Sequence, residues 1–353
     1  MIVIGADPHK SSHTFSAVMA GTGELRSSET VPASTAGCER ALSWARGLDA
    51  ERVWAIEDCR HVSGRLERLL IARGERVVRV PPKLMAGTRR SSRERGKSDP
   101  IDALAVARAA LMHGVDSLPM ARLEGPELEL RLLVDHRDRL VAQRTALQND
   151  LRWHLHDQGE LDVPTGGLDR EKWLKLLAGR LARREQDART RIARDELRRI
   201  RELTRSTKAL EKEIALLVAQ ICPQLLDEVG CGPLTAAKLV GEIAGIDRFA
   251  SDAKLARAAG VAPIPASSGR TDRQRLDRGG NRQLNCALHR LAVTKGRWDP
   301  ESTAYLARKQ AEGKTRMEAL RCLKRHLARR VYQLLNQPTP QPANVLDTTL
   351  ALT

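Results

Sequence analysis

Ile2-Val3-Ile4-Gly5-Ala6-Asp7 opens the chain with a short, unbroken apolar run closed by a carboxylate. A run of this length, stopped by Asp7-Pro8, reads as a buried strand with an acid at its end. Working outward, His13 to Met19 reads as a second strand, Gly21-Thr22-Gly23 as a turn and Arg26 to Val31 as a third strand. Short turns between them predict an antiparallel meander. Thr35 to Leu48 has helical character, with Ser34 or Thr35 as its N-cap. Val53 to Ile56 is a fourth strand, Val62 to Arg73 a helix closed by Gly74, and Arg76 to Val80 a fifth strand stopped by Pro81-Pro82. Asp102 to His113, ended by Gly114, is a further helix.

The order is βββαβαβα, with a long connection before the last helix. It predicts a ribonuclease-H-like α/β domain over residues 1–115. Residues 116–222 read as a helical, coiled-coil dimerisation region. Leu133, Leu140 and Leu147 recur every seven residues, flanked by Val134, Val141 and Leu151. Ile200, Leu203, Thr207, Leu210, Ile214, Leu217 and Ile221 alternate spacings of three and four, a coiled-coil seam with one polar position. Gly159 to Gly167, with Pro164, breaks the two stretches apart. Residues 223–335 read as a second helical domain, and 336–353 as a mobile tail. The expected fold class is therefore α/β plus all-α.

Composition narrows the partners. The 353 residues carry 60 basic and 44 acidic side chains, a net charge of +16 and a pI near 10.1. That balance favours a polyanion, nucleic acid above all. Two Phe, two Tyr and five Trp are too few for a module that stacks single-stranded bases on aromatic platforms. The six cysteines, at 38, 59, 222, 231, 286 and 322, form no C-x-x-C pair and no zinc spacing, so free thiols in a reducing cytosol are expected. The start lacks the basic and apolar regions of a signal peptide, and no apolar run approaches the ~20 residues of a membrane span. A cytoplasmic, nucleoid-associated protein is the expectation.

Four acids carry the first chemical pattern. Asp7 ends the first strand, Glu57 ends the fourth with Asp58 beside it, and Asp99 and Asp102 sit three apart at the start of the last helix of the first domain. Spacing of three puts two carboxylates on one helical face. Alone, each has a bland role: Asp99 before Pro100 as an N-cap, Asp102 as a helix-dipole partner, Asp7 as a turn former. Together at one sheet edge they would repel one another unless cations lay between them, and such hard oxygen donors suit Mg²⁺ or Mn²⁺. Two such ions can clamp the attacking and leaving oxygens of a phosphodiester.

Three basic features point to nucleic acid. Arg73 to Lys97 holds nine basic and two acidic residues, including Arg89, Arg90, Arg93, Arg95 and Lys97, directly before Asp99. A backbone arriving at the acids would pass it. Val229 to Leu239 contains Gly230-Cys231-Gly232 and Lys238, like a helix-hairpin-helix turn whose backbone N–H groups approach a phosphate. Ala262 to Arg270 is Pro-rich and ends Ser267-Ser268-Gly269-Arg270; Arg273, Arg275, Arg278 and Arg282 follow. Arginines there could hold a phosphodiester bidentately. On the residues alone, a phosphate-binding loop without covalent chemistry is the better reading.

These pieces together resemble the DEDD-type transposases of bacterial insertion sequences. Ile4-Gly5-Ala6-Asp7-Pro8-His9-Lys10 is similar to the family's G-x-D-x-x-K, and Ile56-Glu57 to its strand ending in Glu. Lys97-Ser98-Asp99-Pro100-Ile101-Asp102-Ala103 closely resembles K-[ST]-D-x-x-D-A, and the Ser268-Gly269-Arg270 loop with Gly280-Asn281-Arg282 resembles the family's S-G-[RK] loop and basic helix. The resemblance implies a RuvC-like N-terminal domain, divalent metal bound by Asp7, Glu57, Asp99 and Asp102, and Ser268 as a nucleophile that becomes joined to DNA. It also implies a homo-oligomer, dimer or tetramer, and in some members guidance by a structured RNA. Asp58-Cys59 replaces the usual Ala-Thr, and Ser267 stands beside Ser268, so both registers stay open by one residue. The expected function is a DNA transposase or recombinase. The alternative is a metal-dependent, junction-resolving nuclease that uses water and forms no covalent intermediate.

Overall fold

A computed structural model describes residues 1–57, 62–81, 84–85, 98–121, 125–157, 167–266, 274–277 and 279–337. Two compact units emerge, one formed by Met1–Gly125 with Glu242–Pro338, the other centred on Pro126–Gly241. Compactness thus joins the first and third stretches of the sequence in one unit.

The first unit is built on a five-stranded sheet: β1 (Ile2–Pro8), β2 (Ser12–Met19), β3 (Leu25–Pro32), β4 (Arg52–Glu57) and β5 (Val77–Val80), in the order β3-β2-β1-β4-β5. The meander β1-β2-β3 is antiparallel, while β4 and β5 add in parallel. Helices cover both faces, which is why β1 is apolar without alternation. Ile2, Ile4, Ala6, Phe15, Trp54 and Ile56 face α1 (Thr35–Leu48) and α2 (Gly64–Ala72). Val3, Val18, Val53, Ala55, Val78 and Val80 face α3 (Asp99–His113). Ser34 is the N-cap of α1, accepting a hydrogen bond from Gly37 N–H.

One buried ion pair pins α2 to the sheet. Arg79 on β5 donates to Glu67 on α2 at 2.6 and 3.1 Å, and Ser63 Oγ donates to the other Glu67 oxygen at 2.5 Å. Arg79 is 7 % exposed and Glu67 1 %. Removing one partner strands a charge in the core. Arg79→Met is therefore expected to lower stability by about 3–5 kcal/mol, read as a shift in the urea midpoint, and Arg79→Met with Glu67→Met to recover most of it.

The rest of this unit is helical: α8 (Asp252–Ala258), α9 (Arg282–Trp298), α10 (Pro300–Ala311) and α11 (Arg316–Leu335), with a two-stranded ribbon of β6 (Ile264–Pro265) and β7 (Gln274–Arg275). Arg248 Nε donates to the Met120 carbonyl at 2.6 Å, tying this part to the chain that follows α3.

The second unit contains α4 (Pro126–Asp157), α5 (Glu171–Ala182), α6 (Ala188–Ile221) and most of α7 (Pro233–Ile243). Side-chain pairs show that α4 and α6 run antiparallel: Arg137 meets Glu211, His154 lies 3.5 Å from Glu196 and Asp157 meets Arg189. As numbers rise on one helix they fall on the other. The buried stripe of α6 runs Ala193, Leu197, Ile200, Thr204, Thr207, Ile214 and Val218. Leu203, Leu210 and Leu217 of the expected seam are only half-buried, one position from the deepest line. No helix among the described residues is long and apolar enough to cross a membrane.

Candidate functional site

Asp7, the penultimate residue of β1, and Glu57, the last of β4, stand at the ends of neighbouring parallel strands. Between these two strands the last paired residues are Ala6 and Ile56, and both acids stand one step beyond them, Asp7 still pairing with Thr14 and Glu57 with Val80 on their other sides. Alternation along a strand puts each on the face of Val3 and Val53, the face that α3 covers. Gly5 is what lets the helix lie so close. A Cβ there would meet the Ala103 carbonyl oxygen at 2.0 Å and the Ala107 nitrogen at 2.5 Å. Only a residue without a side chain fits that contact. Ser16 Oγ on β2 donates to the Pro100 carbonyl at 3.3 Å and holds the first turn of α3 over the sheet.

That turn carries the other two acids. Ser98 takes the N-cap position and Asp99 is the first helical residue, so Asp99 is not the cap expected from Asp-Pro. Asp102, one turn on, is 6 % exposed, as is Asp7. Burial is the main cause that pushes the Asp7 carboxyl above the usual carboxylate range. The charges of Asp102 and Asp99 push the same way, against the pull of His9.

His9 joins two of the acids. Its Nε2 lies 3.2 Å from Asp7 Oδ2 and 3.5 Å from Asp99 Oδ1. Ligand atoms of Asp7, His9 and Asp99 all lie within 4.8 Å of one another, a span that one ion could bridge. Sequence reasoning misses His9. The signal that could have found it is the two-residue step from Asp7 at a strand end, which places both side chains on one face.

The basic features divide. Arg73, Arg76 and Arg79 of the Arg73–Lys97 stretch pair with Glu39, Asp116 and Glu67. Arg89, Arg90, Arg93, Arg95 and Lys97 lie outside the described residues, as does Asp58. Gly230 adopts φ +84°, and Gly232 is open enough that a Cβ would meet nothing within 4 Å. Lys238, expected to face a phosphate, is instead buried at 9 % exposure. Its Nζ donates to Asp135 and Asp138 of α4, both at 3.2 Å. Two carboxylates already neutralise it, so its role is to fix α7 on α4.

Ser267, Ser268, Gly269, Arg270, Arg273 and Arg278 lie outside the described residues; Arg275 on β7 and Arg282 at the start of α9 are exposed. The base of that loop is closely built. A Cβ on Gly280 would meet Gly260 N at 2.0 Å, so two backbones touch. Asn285 Nδ2 donates to the carbonyls of Ala259 and Gly260 at 2.9 and 3.1 Å, and Lys324 Nζ donates to Asn285 Oδ1 at 2.5 Å. Asn281 caps α9 and donates to Glu242 at 2.7 Å.

Two family models match the chain. One, described as a transposase of the DEDD, IS110 type, covers residues 4–158; the other, the transposase IS116/IS110/IS902 family, covers residues 222–307. The chain belongs to the IS116/IS110/IS902 family of insertion-sequence transposases. It is similar along 97 % of its length, at 29 % identity, to a 44.8 kDa protein of insertion element IS116 from Streptomyces clavuligerus, 97 % of which is covered. It shares 29 % identity with a 42 kDa protein of insertion element IS900 from Mycobacterium paratuberculosis over 78 % of this chain and 80 % of the relative. A 43.6 kDa protein of insertion element IS110 from Streptomyces coelicolor matches at 38 % identity over 37 % of this chain and 33 % of its own. In this transposase the four acids fall inside the first matched region, and the Ser-Gly loop with Gly260, Gly280, Asn281 and Asn285 inside the second.

Proposed function

We propose that this transposase cleaves and rejoins DNA at a divalent-metal site formed by Asp7, Glu57, Asp99 and Asp102, with Ser268 as nucleophile. The observation that carries the reading is the convergence of Asp7, Asp99 and His9 at the end of β1, with Asp102 buried beside them. The donor set fits Mg²⁺ or Mn²⁺: the acids are hard oxygen ligands, and although burial is the main cause of the raised Asp7 carboxyl, the charges of Asp102 and Asp99 add repulsion that a cation would relieve. Ions bound there would stabilise negative charge on the scissile phosphate. The β-order and helix placement support a ribonuclease-H-like, RuvC-like domain.

In the proposed step, Ser268 Oγ attacks phosphorus. An Oγ–P bond forms, the P–O3′ bond breaks, and the serine proton leaves with the 3′ oxygen as a hydroxyl. Rejoining reverses these changes on a new partner. Gly260, Gly280, Asn285 and Lys324 pack together at the base of the segment that carries Ser268. Arg270, Arg273, Arg275, Arg278 and Arg282 would hold the phosphate backbone.

A dimer or tetramer through the α4–α6 arm is part of the reading. Leu132 and Leu216 are 57 % and 68 % exposed there, apolar surface suited to a second copy. The net charge of +16 also admits a structured guide RNA. The test is recombination in vitro. Purified protein with Mg²⁺ and nucleic acid from its own element should join a plasmid carrying the element to a target plasmid. No joined product under Mg²⁺ or Mn²⁺, with or without that RNA, would overturn the reading.

A further inference from the structure

The second unit carries a basic groove that the acidic site does not use. Arg191, Arg194, Arg198, Arg201 and Arg205 follow one another on α6 in steps of three and four, so all five share a face. They line an open cleft of about 510 Å³ beside Ala178 of α5, with Asp195 as the one carboxylate among the lining residues. At 1.5 Å per residue the stripe is about 21 Å long. Lys208 and Lys212, both exposed, continue the spacing. The support is rigid: Leu174, Leu177 and Leu181 of α5 pack on Ala193, Leu197 and Ile200 of α6.

A solvated helix face would spread its charges and pair them. Here pairing is incomplete. Arg198 meets Asp195 and Glu202, Arg201 meets Glu171 at 3.2 Å, and Arg194 donates to neutral Gln186. Among the described residues neither Arg191 nor Arg205 has a carboxylate partner. The lining holds no aromatic ring to stack a base, so the groove suits a phosphate backbone over unstacked bases.

We propose that this arginine groove binds the sugar-phosphate backbone of duplex DNA outside the cleavage site, without reading its sequence. The proposal rests on the chain acting on DNA as a transposase. It does not rest on the metal chemistry, because the groove lies in the unit that lacks the four acids.

The experiment is fluorescence anisotropy with a labelled 30-base-pair duplex of arbitrary sequence, in EDTA, across a salt series. Arg191→Gln/Arg194→Gln/Arg205→Gln should weaken binding at least about tenfold near 0.1 M salt. It should also flatten the slope of log K against log salt by about 2–3, at roughly 0.9 for each phosphate no longer neutralised. Arg139→Gln, exposed on α4 and not among the lining residues, should keep the wild-type slope. Circular dichroism melts of both variants serve as the folding check. An unchanged slope in the folded triple variant would overturn the proposal. So would an equal loss in the off-stripe variant, or a loss seen with an RNA hairpin and absent with DNA. Working in EDTA separates this result from any failure of the acidic site.

Discussion

Asp102→Asn is expected to lower DNA cleavage by about 10²–10³-fold or more while leaving the protein folded. The side chain is buried in the first turn of α3, next to the end of β1, and its charge helps push the Asp7 carboxyl up. Asparagine keeps the shape and removes the anion. Its loss from a helix N-terminus costs about 0.3–1 kcal/mol, and weaker repulsion with Asp7 offsets part of that. The melting temperature in EDTA should therefore move by only a few degrees, while turnover in Mg²⁺ collapses. Activity within a few-fold of wild type would show that the acid is structural and that the four-carboxylate account fails. Asp7→Asn should behave alike in activity and melt no lower than wild type in EDTA at neutral pH. A raised Asp carboxyl favours the fold while protonated and opposes it once pH rises through its folded value, so a neutral amide removes a burden at pH 7.

Ser268→Ala carries the second large effect. Wild-type protein trapped on a cleaved end should migrate with DNA after denaturation, because the phosphoserine ester is covalent. Ser268→Ala should abolish that species, and Ser267→Ala should retain it. If Ser267→Ala alone abolishes it, the nucleophile is one residue earlier in the same loop. If the adduct survives both changes, serine is not the attacking group. If cleavage persists at wild-type rate with no adduct in any variant, water is the nucleophile and the chain acts as a metal-dependent nuclease.

Much of the α/β part is legible in the sequence because its signals are local. β1, β4 and β5 are short, mostly apolar runs, β2 and β3 flank a Gly-containing turn, and α1 begins and ends where its cap and periodicity put it. The acidic edge is legible for the same reason: strand ends and the first turn of a helix are positions that sequence marks. Asp99 reads as a cap because Ser98 and Asp99 both suit that place, and the choice between them rests on backbone geometry. His9 escapes because its partners are set by a turn, His9 N–H to the Ser12 carbonyl, that its own residue type does not announce. Lys238 misleads for a long-range reason. Asp135 and Asp138 are about a hundred residues away in sequence, and only packing of α7 on α4 brings them to it. The two-residue strands β6 and β7 sit in a Pro-rich loop with no alternation to betray them. The arginine groove needs the structure too, since α5 is what turns a charged helix face into a cleft.

The most direct test of the central claim is anomalous diffraction from crystals soaked in Mn²⁺. The account predicts a peak at the end of β1, within bonding distance of carboxylate oxygens of Asp7 and Asp99, and its loss in Asp7→Asn crystals grown alike. A fully soaked wild-type crystal with no peak there, or with manganese only elsewhere on the chain, would contradict it.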